Sequence, residues 1–249
     1  LNQFGLCIDQ LDQQADDKVI FNNCLFLFQC FYKELELKNR KDFRAVFAPH
    51  LTGITKELFR NCANLQQFFG PNVTQIDYGA FYACSNLLHI DFPLVQLIGS
   101  HAFTQTNSLK EATFPRLKKM QNYCFYECQS LIFFKAPLLI EAGYLVFTRC
   151  TNLQTLITAQ LQNAGYNFVK QCSALKNIVV PVLKEFTCDC NQCPMCGGEV
   201  IKSQQKYKSQ MSWKELDGKQ MSLINRFIGQ IETCGKYLKA ICFIEQQWQ

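Results

Sequence analysis

The chain has 249 residues, 48% of them hydrophobic and 18% charged, with a formal net charge of +5. The charge is mild and spread out: residues 1–30 carry four Asp against one Lys, and residues 201–249 carry eight Lys and Arg against four acids. No dense basic stripe with interleaved aromatics is present, so a nucleic acid is not an expected partner.

The N-terminal flank, residues 1–31, ends in the most apolar stretch of the chain, Val19 to Tyr32. That stretch is too short for a membrane span and is broken by Asn22, Asn23 and Gln29. Acidic rather than basic residues precede it, which argues against a secretory leader. It is expected to pack as a capping helix or strand over the segment that begins at residue 32.

From residue 32 the sequence becomes periodic. Phe59, Phe81, Phe103, Phe125 and Phe147 are spaced 22 residues apart, and Val169 takes the next step. Other columns keep the same period. Cys62, Cys84, Thr106, Cys128, Cys150 and Cys172 form one, and Leu65, Leu87, Leu109, Leu131, Leu153 and Leu175 another. Proline recurs at Pro71, Pro93, Pro115, Pro137 and Pro181, with Ala159 replacing it once. A weaker copy precedes these at Leu37, Arg40, Phe43, Val46 and Pro49, where Arg40 breaks the Cys column. A fixed period of this length marks a stacked-repeat architecture, and a degenerate terminal copy suits the end of a stack.

Within one copy, Leu87 to Phe92 can alternate as a short strand, with Ile90 and Phe92 inward and His89 and Asp91 outward. Pro93 ends it, because proline cannot donate to a ladder. The segment Tyr78 to Tyr82 is expected as a helical or 3₁₀ turn on the opposite side. One copy holds about seven inward apolar residues, each contributing roughly 1.5–3 kcal/mol on full burial. Ordering its residues costs about 1.5 kcal/mol each, so a single copy cannot stand alone and stability must come from stacking. The expected fold is therefore an α/β solenoid of about seven 22-residue units over residues 32–185.

The unit Ile76-x₄-Phe81-x₂-Cys84-x₂-Leu87-x₂-Ile90-x-Phe92-Pro93-x-Val95 resembles the BspA-type leucine-rich repeat. The resemblance covers about residues 32–185. It implies a leucine-rich repeat fold and, in general terms, the binding of other macromolecules. Some members of that family are surface adhesins.

The chain has 15 cysteines. Those in the repeat column read as small buried residues whose S–H serves a turn carbonyl, and Thr106 in the same slot can donate but cannot form a disulfide. Reduced thiols point to the cytosol. The alternative is a secreted or cell-surface protein with oxidised cysteines, to which the acceptor pattern Asn72-Val73-Thr74 would belong.

Residues 186–200 form a separate Cys-rich knuckle. Cys188, Cys190, Cys193 and Cys196 fall within nine residues, followed by Gly197 and Gly198. Cys193-x₂-Cys196 matches one knuckle of a zinc ribbon, with Cys188 and Cys190 as candidates to complete a four-thiolate site. A disulfide clip and free thiols are the two other readings. In each case the group would seal the end of the solenoid. Residues 201–249 read as one or two amphipathic helices in a mildly basic tail, either packed on the last repeat or open to a partner.

The leading functional expectation is a non-enzymatic scaffold that binds a protein partner. The residues flanking each inward strand position should project from the sheet: Gln67 and Phe69, His89 and Asp91, Glu111 and Thr113, Phe133 and Lys135, Thr155 and Ile157, Asn177 and Val179. Phe69, Phe133, Ile157 and Val179 are apolar there, giving either an interaction stripe or a face covered by a flank. An enzyme is not expected. The three His residues, His50, His89 and His101, lie away from the Cys cluster in sequence, and no nucleophile, base and orienter can be assembled.

Overall fold

The computed structural model describes residues 18–193 and 196. The expected tail helices at residues 201–249 lie outside these. The chain divides into two units, residues 17–209 and a second comprising residues 1–16 and 210–249; the first contains all of the described residues.

The N-terminal flank forms a hairpin of β1 (Lys18–Phe21) and β2 (Cys24–Leu27), paired antiparallel. Asn22 and Asn23 join them, both with positive φ (47° and 62°), as the tightest hairpin turns require. Of the two expected forms for this segment, strand is the one adopted. β2 then pairs in parallel with the first repeat strand and caps the stack from its N-terminal side.

Each coil thereafter contributes one three-residue and one two-residue strand. The pairs are β3 (Ala45–Phe47) and β4 (Gly53–Ile54), β5 (Gln67–Phe69) and β6 (Gln75–Ile76), β7 (His89–Asp91) and β8 (Leu97–Ile98). They continue with β9 (Glu111–Thr113) and β10 (Lys119–Met120), β11 (Phe133–Lys135) and β12 (Glu141–Ala142), β13 (Thr155–Ile157) and β14 (Asn163–Ala164), ending at β15 (Asn177–Val179). All repeat strands pair in parallel with residues 22 apart in register, as in Phe134↔Leu156 and Met120↔Ala142. The two-residue strands make one continuous six-stranded ladder. The result is a solenoid of about seven coils.

The third side of each coil departs from the sequence expectation. Among the described residues there is no helix, and the turns around the Phe column are neither α nor 3₁₀. The reason is where the amides go. Glu57, Phe59 and Asn61 donate to the carbonyls of Tyr78, Ala80 and Tyr82 on the next coil, while the amides between them close four-residue turns. Positive φ at Glu57 and Asn61, and at the matching His101, Gln105, Tyr123, Glu127, Leu145 and Arg149, breaks any right-handed helix. Coil stacking takes the hydrogen bonds that a helix would have used internally.

The core is a pillar of phenylalanines. Rings of Phe59, Phe81, Phe103, Phe125 and Phe147 stack with centroids 5.4, 5.2, 5.0 and 5.5 Å apart, all fully buried. A second set fills the strand corner by sharing volume between two positions. Phe68 is paired with Gly70, Phe134 with Ala136, and the order is reversed at Ala112 with Phe114. In the coil between, Ile90 and Phe92 are both large. Phe92 and Phe114 therefore meet in adjacent coils at 6.3 Å, against 5.2 Å for Phe81 and Phe103 of the same two coils. The bulk holds the strand side open there. The three-residue strands accordingly split: β3, β5 and β7 join the hairpin β1–β2 in a five-stranded ladder ending at β7, and β9, β11, β13 and β15 form a four-stranded ladder starting at β9.

Candidate functional site

The residues expected on the sheet face lie on β5, β7, β9, β11, β13 and β15, in register from coil to coil. His89, Glu111 and Asn177 are exposed; Gln67, Phe69, Asp91, Thr113, Phe133, Lys135, Thr155 and Val179 are half-buried. Ile157 is only 8% exposed. It sits between Lys135 and Val179 in the ladder, and close cross-strand neighbours on one face cover each other. Asp91, on the strand beside the ladder break, has its carboxyl pushed above the usual range by burial. The two halves of the face are thus brought together within each ladder but not across the break.

Sequence reasoning overlooked the most aromatic part of this face, which begins in the N-terminal hairpin. Phe26, Phe47 and Phe69 stack on adjacent strands with centroids 5.3 and 5.1 Å apart and rings 14° from parallel. The chain leaving β2 carries Phe28 and Phe31, 41% and 58% exposed. Phe26 and Phe47 fall just outside the clean copies, so the column that links them to Phe69 shows only once β2 is known to pair with β3. Also overlooked was a row of Tyr and His rings on the turn side, in the columns two and three residues before the Phe column.

The four knuckle cysteines converge. Their Sγ atoms all lie within 4.8 Å of one another. Cys193–Cys196 are 3.2 Å apart, Cys188–Cys190 3.3 Å, Cys190–Cys196 3.4 Å and Cys188–Cys193 3.8 Å. A disulfide would need about 2.05 Å. Four thiolates around a tetrahedral ion with bonds of about 2.3 Å sit roughly 3.8 Å apart, so this donor set fits a metal after small shifts. The amide of Cys196 closes a turn on the Cys193 carbonyl at 3.2 Å, and the Gln192 amide donates to the Cys190 Sγ at 3.5 Å. Burial pushes the Cys188 thiol up to about 12. Burial also opposes ionisation of Cys190, but the amides of Gln171 and Gln192 and the adjacent thiols outweigh it and bring Cys190 down to about 6.

The group is tied to the last coil. The Asn167 amide donates to the Thr187 carbonyl at 2.9 Å, the bond that a further coil would otherwise supply. The Asn167 side chain accepts from the Asp189 amide at 3.1 Å, and Lys170 pairs with Asp189 at 2.8 Å. Cys193 is 6% exposed and joins the buried core, with Cys188, Cys190 and Cys196 packed against it. The arrangement covers the open C-terminal end of the pillar.

The BspA-type leucine-rich repeat model matches residues 28–132 and 74–190, with six copies. The chain belongs to the BspA-type leucine-rich repeat family. No curated protein matches it. Among solved structures it is similar to a leucine-rich repeat protein of T. pallidum, at 17% identity over 55% of this chain and 86% of that one, with a TM-score of 0.41. A leucine-rich repeat protein from Bacteroides ovatus is 18% identical over 63% of this chain and 59% of its own, with a TM-score of 0.41. A leucine-rich cell surface protein from Faecalibacterium prausnitzii is 20% identical over 66% of this chain and 45% of its own, with a TM-score of 0.48. No helix among the described residues is long and apolar enough to cross a membrane.

Proposed function

We propose that this BspA-type solenoid is a non-enzymatic protein-binding scaffold, closed at its C-terminal end by a structural Zn²⁺ held by Cys188, Cys190, Cys193 and Cys196. The observation that carries the binding reading is the stack of Phe26, Phe47 and Phe69 on the outer sheet face, with Phe28 and Phe31 exposed on the chain that leaves β2. Rigid aromatic groups at a surface are the residue class that anchors protein interfaces. The charged and polar positions farther along the face, His89, Asp91 and Glu111, would form the rim.

The buried thiols support a reducing compartment such as the cytosol, because the column uses them as S–H donors. The cell-surface reading would require Asn72 to carry a glycan, yet its side-chain nitrogen donates to the Pro49 carbonyl at 2.7 Å.

Partner capture with the intact chain and with a Phe31→Glu/Phe69→Glu variant tests the binding reading. A partner recovered by the wild type and lost by a variant of unchanged melting temperature is the expected result. Equal recovery by both would remove the aromatic stack as the anchor.

A further inference from the structure

The turn side of the solenoid carries a second surface that the scaffold reading does not use. Five consecutive coils place a ring two or three residues before the Phe column: Tyr78, His101, Tyr123, Tyr144 and Tyr166. Tyr78 meets His101 at 5.7 Å, His101 stacks on Tyr123 at 4.7 Å and 8°, and Tyr123 meets Tyr144 edge-on at 5.2 Å. Tyr78 and Tyr144 are each 43% exposed.

Between those two tyrosines, Ser100 and Asn122 occupy the same column. Beside them is a shallow concavity of about 410 Å³, lined by Ser100, Gln121, Asn122, Lys119, Glu141 and Asn163 together with Met120, Ala142 and Gly143. At about 4.8 Å per coil, Tyr78 and Tyr144 stand roughly 14 Å apart along the stack; they flank Ser100 and Asn122 in their column but do not themselves line the concavity.

Most of the charges around this surface are paired. Lys119 pairs with Glu141 at 2.8 Å, Arg149 with Glu127 at 2.6 Å, and Arg60 with Glu57 at 2.5 Å. Burial, aided by Arg60, keeps His101 below the usual histidine range and so neutral at pH 7. Lys56, over the Tyr78 ring at 5.9 Å, is one more cation at the edge. A polyanion would need a row of unpaired cations, as single-stranded nucleic-acid grooves have. An apolar ligand would need a deep pocket, and this one is shallow and open, with the polar side chains of Ser100, Gln121, Asn122 and Asn163 and the Lys119–Glu141 pair in its lining. A surface with flat π faces, neutral hydrogen-bonding groups and little net charge suits a ligand that is apolar on its faces and polar at its edges. Pyranose sugars have that character: C–H groups project from the ring faces, and hydroxyls ring the edge.

We propose that the turn side binds a neutral oligosaccharide laid along the stacking direction. Sugar rings would rest on Tyr78 and Tyr144, and hydroxyls would bond to the side-chain amide nitrogens of Gln121 and Asn122, whose oxygens already accept from Ser100 and from the Tyr144 amide. This surface is separate from the outer sheet face, so failure of one reading leaves the other standing.

Calorimetric titration of the full chain with cellohexaose, xylohexaose and chitohexaose tests it, with a deoxythymidine decamer and a hexaproline peptide as contrasting probes. At least one sugar should bind with a Kd on the order of 1 mM or tighter. Tyr78→Ala and Tyr144→Ala should each weaken it by about tenfold, since loss of one stacking contact removes around that factor, without shifting the melting curve. The proposal is overturned if none of the three sugars binds, if both variants bind as the wild type does, or if only the decamer or the peptide binds.

Discussion

The thiol of Cys84 donates to the carbonyl of Phe59, 25 residues earlier, at 3.0 Å. The same bond recurs from Cys62 to Leu37, Cys128 to Phe103, Cys150 to Phe125 and Cys172 to Phe147, at 3.0–3.1 Å. Each joins one coil to the turn of the coil before. Thr106 breaks the series: its hydroxyl bonds to Phe103 in its own coil at 2.9 Å. The C–O bond is shorter than the C–S bond and does not reach the preceding coil. Cys84→Ala should therefore cost about 1–3 kcal/mol, from a buried carbonyl that loses a partner and the small void left behind. Thr106→Cys should restore the bond to Phe81 and change stability by less than about 1 kcal/mol. Urea unfolding of both variants checks this. A neutral Cys84→Ala would show that the column is selected for size alone.

The shared volume at the strand corner makes a second prediction. Phe114 fills the space that Ala112 leaves, and Phe134 with Ala136 does the reverse one coil on. Phe114→Ala alone should cost roughly 3–5 kcal/mol, as for other buried phenylalanines. Ala112→Phe alone should overpack the coil, costing about 1–3 kcal/mol. The double exchange moves the bulk to the position used by Phe134 and should recover much of the loss. Denaturant unfolding of the three variants gives the coupling. Additive losses would mean that the two positions do not share one volume.

Much of this fold was legible because the period is rigid. Phe59, Phe81 and Phe103 mark the pillar, and the prolines mark the strand ends, so coil number and inward positions follow from spacing. The turn conformation did not follow. Residues such as Glu57, Tyr123 and Leu145 have no intrinsic preference for positive φ, and they adopt it because the next coil claims their neighbours' amides. The ladder break was hidden too, since it arises from two acceptable large residues, Phe92 and Phe114, standing in adjacent coils. The cysteine cluster was visible as spacing, but its anchors Asn167 and Lys170 belong to a coil that looks ordinary in sequence. The tyrosine row was missed because its members alternate between two columns.

Glu57 gives a pH dependence. Its carboxylate takes Lys38 at 2.8 Å and Arg60 at 2.5 Å, and the side chain is 11% exposed. The hydrogen bond from Lys38, then Arg60, holds its carboxyl below the usual range against the opposing effect of burial. A lowered folded-state pKa adds stability above the unfolded value of about 4.3, and that stability is lost as pH falls through the folded value. Glu57→Gln should thus be less stable than wild type at pH 7, by about 1 kcal/mol for a pair near the surface. The gap should narrow between pH 7 and pH 3, because pH 3 lies below the unfolded value and the carboxylate's advantage in the folded state is being lost there. Melting curves at the two pH values test the sign; a gap that widens in acid would contradict it.

The end cap makes the final prediction. If Cys188, Cys190, Cys193 and Cys196 hold Zn²⁺, the purified chain carries one zinc per molecule, and cobalt in its place gives the intense charge-transfer bands of a tetrahedral thiolate site. Metal binding requires deprotonated sulfur, so zinc should be released on acidification. Chelation should then raise the number of rapidly titrating thiols by these four, while Cys62, Cys84, Cys124, Cys128, Cys150 and Cys172 stay protected in the core. Because Asn167 and Lys170 tie the cluster to the last coil, removing the metal should loosen that coil first. Amides of Asn177–Val179 should exchange faster after chelation, while those of Phe133–Lys135, two coils away, stay as slow as before. Cys193→Ser should reproduce both effects without chelator. A metal-free chain whose cluster thiols appear only after reduction would replace the zinc cap with a disulfide clip.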